Sequence, residues 1–122
     1  MKSDSKKFKE EFKKRMYAWV LRLIKFIDDL PHAPSRDVIG KQLLRSGTSI
    51  LANYVEANSA SSRKDFINFF THSLKSRNES KVWLTLLRDT GERSKEIDWL
   101  VQECTEVCNI IAASILTLKG KR

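Results

Sequence analysis

Helix-breaking residues are few in this sequence, and they divide it into four stretches of helical spacing. Four glycines and two prolines serve 122 residues. Pro31 and Pro34 end the first stretch, the polar run from Asn58 to Ser62 ends the second, and Gly91 ends the third. So little turn material suits a few long helices joined tightly, and it excludes an all-β fold built from many short strands.

Within each stretch the apolar residues recur at three- and four-residue intervals. The spacing predicts a first helix over about 5–30, with Phe8, Phe12, Met16 or Tyr17, Trp19, Leu23, Phe26, Ile27 and Leu30 on its inner side. Ser35 is the expected N-cap of a second helix over 36–58, which sets Ile39, Leu43, Ser46, Ile50, Asn53 or Tyr54, and Ala57 in one stripe. Ser62 followed by Asp65 reads as a variant capping box for a third helix over 63–90, carrying Phe66, Phe69, Phe70, Leu74, Trp83, Leu84 and Leu87. Gly91 suits the left-handed position that ends it, and Ser94 caps a fourth helix with Ile97, Leu100, Val101, Cys104, Cys108, Ile111, Ile115 and Leu118 inward. Helices of this length extend roughly 35–40 Å at 1.5 Å per residue. Short connections make neighbours antiparallel. The expectation is all-α: an antiparallel, up-down-up-down four-helix bundle forming a single domain over residues 1–122.

The formal net charge is +8 and the pI about 9.7. Lys2, Lys6, Lys7, Lys9, Lys13, Lys14 and Arg15 crowd the N-terminus, and Lys119, Lys121 and Arg122 make the other end basic, so that 1–5 and 119–122 read as basic, flexible ends. Such a surplus favours nucleic acid or an anionic membrane as partner. No run approaches the roughly 20 apolar residues of a membrane span, and no secretory signal is visible, so the expectation is a cytoplasmic protein without membrane contact. Lys13, Lys14 and Arg15, with Lys41 and Arg45 of the second helix, are the candidate ligands of RNA or DNA phosphates. The aromatic residues are mostly spaced as core and give no evident base-stacking platform. Binding of this kind is largely sequence-independent.

The stretch "GTSILANYVEA", 47–57, sets small residues and then Asn53 and Glu56 in or beside an apolar stripe. Small residues let two backbones approach, so Ser46 and Gly47 mark a tight crossing or a subunit contact. On the third helix His72, Ser76, Glu79 and Trp83 share a face. Asn53, Glu56, His72, Ser76 and Glu79 are therefore expected to form a structural hydrogen-bonded network between helices two and three. A catalytic or metal reading of Glu56, His72 and Glu79 is disfavoured, because no glutamate is followed three residues later by histidine as in di-iron bundles. Neither a nucleophile elbow nor a glycine-rich phosphate loop occurs. Cys104 and Cys108 lack the further ligands of a zinc site and read as core. No enzyme activity, metal or cofactor is expected.

The segments "IGKQLLRSGTSILANYVEA" (39–57), "SSRKDFINFF" (61–70) and "SRNESKVWLTLLRDTG" (76–91) resemble the four-helix-bundle family first met in intervening sequences of bacterial 23S ribosomal RNA genes. The residues carrying the likeness are Gln42, Leu43, Arg45, Ser49, Ile50, Asn53, Glu56, Ser62, Phe66, Asn78, Glu79, Trp83 and Leu84. Leu51 and Ala57 stand where many members have smaller residues. The resemblance implies a ring-like homopentamer without known enzymatic activity. It extends distantly to accessory variability determinant proteins of diversity-generating retroelements, which implies RNA or DNA, and more remotely a reverse transcriptase, as partners. A second reading is a protein–protein scaffold or accessory subunit that does not touch nucleic acid. In it the acidic opening of the fourth helix, Glu92 to Glu106, pairs with basic ends of neighbouring subunits.

Overall fold

The computed structural model describes residues 2–120, and within them the side chains of 6–117 and 120. The side chains of the basic ends expected at 1–5 and 119–122, Gly120 apart, and of Leu118, lie outside the described residues. Four helices make up the described chain: α1 Lys2–Asp28, α2 Pro34–Asn58, α3 Arg63–Asp89 and α4 Lys95–Gly120. Each packs on its neighbours in sequence, and α4 returns to α1, so the backbone contacts run around a ring of four. This is the expected antiparallel four-helix bundle.

The ends of the helices follow local chemistry. The Ser62 hydroxyl accepts the Asp65 amide proton at 3.1 Å, and the Ser94 hydroxyl accepts that of Ile97 at 3.2 Å. Each satisfies a donor that the first turn leaves unpaired. Gly91 takes φ +130°, the one positive φ among the described residues, just beyond the end of α3. At α2 the expectation fails. The helix starts at Pro34, its cap residue is Ala33, and no side chain caps it. Proline brings a preset φ and no N–H to satisfy, so α2 begins before the serine cap is needed.

One core runs the length of the bundle. Met16, Trp19, Leu23, Leu43, Ile50, Leu84, Leu87, Ile97, Leu100 and Ile111 are almost wholly removed from water. Burying each of the aliphatic side chains stabilises the fold by about 1.5–3 kcal/mol. Trp19 also satisfies its indole N–H on the Leu100 carbonyl at 3.0 Å. Gly47 lies under Leu23 and Trp19 of α1, so the small residue in the quoted stretch marks the crossing of α1 and α2. Its neighbour Ser46 faces α3.

Over Lys95–Thr117 α4 is long and apolar enough to cross a membrane by length and composition, contrary to the expectation from sequence. Its buried residues Ile97, Leu100, Cys104, Val107, Ile111 and Ile115 form one wall of the core.

Candidate nucleic-acid interface

The basic residues divide by what they touch. Lys6, Lys7, Lys9, Lys13 and Lys14 are exposed on the N-terminal half of α1, and none of the five holds an ion pair among the described residues. Arg15 differs. Its guanidinium grips Glu103 through two hydrogen bonds and reaches Glu106 at 3.0 Å. The Glu103 hydrogen bond raises the Arg15 pKa, while the Gln102 amide and then Arg15 hold the Glu106 carboxyl below its ordinary value. Arg15, expected as a phosphate ligand, thus fastens α1 to α4 through carboxylates of this chain. Carboxylates at and just before the start of α4 are taken up in the same way: Arg22 pairs with Glu96 at 2.7 Å, and Arg36 with Glu92 of the α3–α4 connection at 3.0 Å. The basic partners of these carboxylates lie within the chain.

Lys41 is exposed near the start of α2, beside a cleft that also involves His32 and Arg36. Arg45 is exposed but directed to Glu79 of α3, and it also donates to Gln42 Oε1 at 3.1 Å. The five candidates therefore form no single patch. Gly40 packs on Ile27 and Leu30, whereas the Tyr54 hydroxyl donates to the Lys9 carbonyl at 3.3 Å. These contacts place Lys41 level with the end of α1, about 20 Å along the axis from Lys13 at 1.5 Å per residue. Positive charge gathers instead where α1 and α3 begin and α2 ends. There the exposed lysines of α1 join Arg63 and Lys64, against Glu10, Glu11, Glu56 and Asp65.

Between α2 and α3, the most extensively packed pair, runs a seam of small polar residues. Ser46 and Ser80 hydroxyls meet at 2.8 Å, Ser73 donates to the Ile50 carbonyl at 2.9 Å, and Ser80 donates to the Ser76 carbonyl at 2.8 Å. Ser76 donates to Ser49, whose hydroxyl also accepts from Asn53 at 3.0 Å. Glu79 receives Arg45 and the Trp83 indole N–H, the latter at 3.2 Å. Asn53 and Ser76 thus meet through Ser49, and Glu79 forms a separate cluster one turn away. Glu56 and His72 are exposed and take no part in either. Their separation from Glu79 also removes the acid–base cluster weighed from the sequence.

Arg77 escaped the sequence reading. Phe70, Ser73, Arg77, Ser80, Leu84 and Leu87 form the buried stripe of α3, and Arg77 is 1% exposed. Its Nη1 donates to the Cys104 carbonyl at 3.1 Å, Nε finds no acceptor, and the guanidinium lies 5.8 Å from the centre of the Trp19 ring. Burial lowers the Arg77 pKa. Cys104 is buried and its thiol pushed up by burial, while Cys108 is half-buried and donates to Asn78 Oδ1 at 3.4 Å. Among the described residues no three His, Cys, Asp or Glu side chains gather as a metal site would require.

The chain matches the family model of the 23S rRNA-intervening sequence protein over residues 9–113. It is also similar to a crystal structure of a protein with unknown function from the S23 ribosomal protein family of Bacteroides thetaiotaomicron. The two share 34% identity with a TM-score of 0.79, over 88% of this chain and 96% of that one. No curated protein matches it. Gln42, Arg45, Glu79 and Trp83, which carried the resemblance in sequence, are the residues joined in one hydrogen-bonded chain across α2 and α3. The match spans most of all four helices, and the chain belongs to the 23S rRNA-intervening sequence protein family.

Proposed function

We propose that this protein is a non-enzymatic, homo-oligomeric bundle that binds RNA or DNA through phosphate contacts at its basic end. The observation that supports this reading is the set of five exposed α1 lysines that hold no ion pair among the described residues. Most of the arginines with assigned contacts, by contrast, are engaged by carboxylates within the chain. Lysines solvated in this way release counterions when phosphates replace them, so affinity falls steeply with salt. Lys13 and Lys14 are the central ligands. Lys41 and Arg45 stand apart from them and touch nucleic acid only where several subunits present a continuous surface.

Self-association is supported by Leu44, Val82 and Leu86, apolar side chains 39%, 53% and 41% exposed on the paired helices α2 and α3. A pentamer, the assembly that the family resemblance implies, has five times the 14.1 kDa of the chain. Sedimentation equilibrium tests this directly, and a monomer at micromolar concentration refutes it. Fluorescence anisotropy with labelled single-stranded RNA and duplex DNA, at low and near-physiological salt, tests nucleic-acid binding. Affinity that drops steeply with salt supports the proposal. No binding at low salt removes it and leaves a protein–protein scaffold as the function.

A further inference from the structure

A cavity of about 750 Å³ opens at the basic end of the bundle, within the roughly 300–1,000 Å³ range of ligand pockets. Its wall is a run of five aromatic rings in contact. Phe8 stacks on Phe12 with centroids 5.8 Å apart and planes 7° off parallel. Phe12 meets Tyr54 edge-on at 5.3 Å, Tyr54 lies 5.7 Å from Phe70, and Phe70 lies 4.6 Å from Phe66. Phe12, Tyr54 and Phe70 are buried, but Phe8, one turn nearer the end of α1, is 54% exposed. The spacing that placed Phe8 on the inner side of α1 therefore fails. Phe8 stands partly open at the edge of the cavity.

The polar groups of the lining are few. They include the Asn58 side chain at the end of α2 and the Ser114 hydroxyl of α4, which donates to the Ile110 carbonyl and keeps its oxygen lone pairs as acceptors. Lys9 belongs to the same lining, with Lys6 and Lys13 one turn to either side on α1. An apolar ligand alone has no use for this row of cations along α1. A planar ring flanked by phosphates matches both parts: the aromatic run takes the ring, and the lysines take its neighbours.

We propose that this cavity receives one unstacked base of single-stranded nucleic acid, laid against Phe8 and Phe12, with the adjoining phosphates on Lys6, Lys9 and Lys13. The inference rests on the nucleic-acid reading of the basic end and adds to it a preference for single strands. A duplex, whose bases are stacked and paired, reaches only the lysines.

The test uses the full chain with three probes of equal length, about 15 nucleotides: a single strand with 2-aminopurine at its centre, the corresponding duplex, and an abasic single strand with the same phosphates. The expected result is about tenfold tighter binding of the single strand than of the abasic strand, the scale of one stacked base. A change in the 2-aminopurine emission, as the base exchanges its stacked neighbours for the phenylalanine rings, accompanies it. Phe8→Ala, at an exposed position, abolishes both the preference and the emission change while leaving the abasic strand bound as before, and Phe8→Trp restores the preference. Equal affinity for the single and abasic strands, unchanged by Phe8→Ala, overturns the base pocket and leaves phosphate binding standing. Binding of an apolar dye in the cavity without any strand preference overturns it in favour of a small-molecule site. Absence of binding by all three probes at low salt overturns this inference together with the function on which it rests.

Discussion

Arg77 and Cys104 exchange two hydrogen bonds across the α3–α4 contact: Arg77 Nη1 donates to the Cys104 carbonyl at 3.1 Å, and the Cys104 thiol donates to the Arg77 carbonyl at 3.5 Å. The arginine is thus held in the core by one guanidinium bond, a tryptophan face and little else. A buried charge so thinly compensated is weak evidence for stability. The Cys104 carbonyl sits inside α4, where the helix supplies its own donor, so losing the arginine does not orphan it. Arg77→Met, which keeps the volume and removes the charge, is expected to match or exceed the parent in urea denaturation. Arg77→Ala opens a cavity against Trp19 and is expected to lose about 2–5 kcal/mol, the range of large-to-small core changes. A loss as large for methionine as for alanine would show that the charge itself stabilises the bundle.

The two internal glycines of α2 make opposite predictions. A methyl group on Gly47 would overlap Leu23 Cδ2, and Leu23 is wholly buried with no room to retreat. A methyl group on Gly40 meets Ile27 and Leu30 at 3.6 Å, an ordinary contact. Alanine gains about 0.5–1 kcal/mol over glycine within a helix, whereas overpacking a core costs about 1–3 kcal/mol. Gly40→Ala is therefore expected to raise the thermal midpoint and Gly47→Ala to lower it. Shortening Leu23 to alanine in the Gly47→Ala background should cost less than the sum of the two single changes, because the clash and the cavity offset each other.

These pairs also show where sequence reading succeeds and where it stops. The helix ends were legible where one local bond decides them, at Ser62, Ser94 and Gly91. They were not legible at α2, where Pro34 pre-empts the Ser35 cap. The core of α3 was half legible, since its buried stripe holds two serines and an arginine, and hydropathy does not count them as interior. Serine is inside there because α2 and α3 lie close enough for Ser46 and Ser80 to satisfy one another, a fact about two helices that neither sequence contains alone. The basic end was visible as a charge run. That Arg15 leaves it for Glu103, 88 residues away, was not.

Acid should weaken the α1–α4 contact. The Arg22 hydrogen bond holds the Glu96 carboxyl below its ordinary value, and Arg22 also lies over the Trp99 ring at 3.5 Å. A carboxyl whose folded pKa is depressed contributes stability that is fully present above its unfolded value, about 4.3 for glutamate. That stability is lost as the pH falls through the folded value. The parent should therefore be more stable than Glu96→Gln near neutral pH, and the gap should close as the pH falls below about 4.3. Both side chains touch water, so the effect is small and shrinks with added salt. Urea midpoints for the two proteins across this range check it, and a gap that is constant with pH would remove Glu96 as the group responsible.

Neighbouring cations on α1 should separate by function. Lys13→Glu with Lys14→Glu alters exposed positions without ion pairs among the described residues, so the urea midpoint should hardly move. Nucleic-acid affinity should fall, and the log–log salt dependence should become shallower by about two, since each phosphate contact contributes about 0.9 to the slope. Arg15→Glu does the reverse. It sets a third carboxylate against Glu103 and Glu106 at the α1–α4 contact, so stability should drop. The salt slope of whatever remains folded should stay as in the parent. Measuring both quantities on both proteins distinguishes a phosphate ligand from a structural tie. If Arg15→Glu keeps its stability and loses salt slope, Arg15 belongs to the binding surface. If the lysine pair changes stability but not slope, the basic end has been assigned the wrong partner.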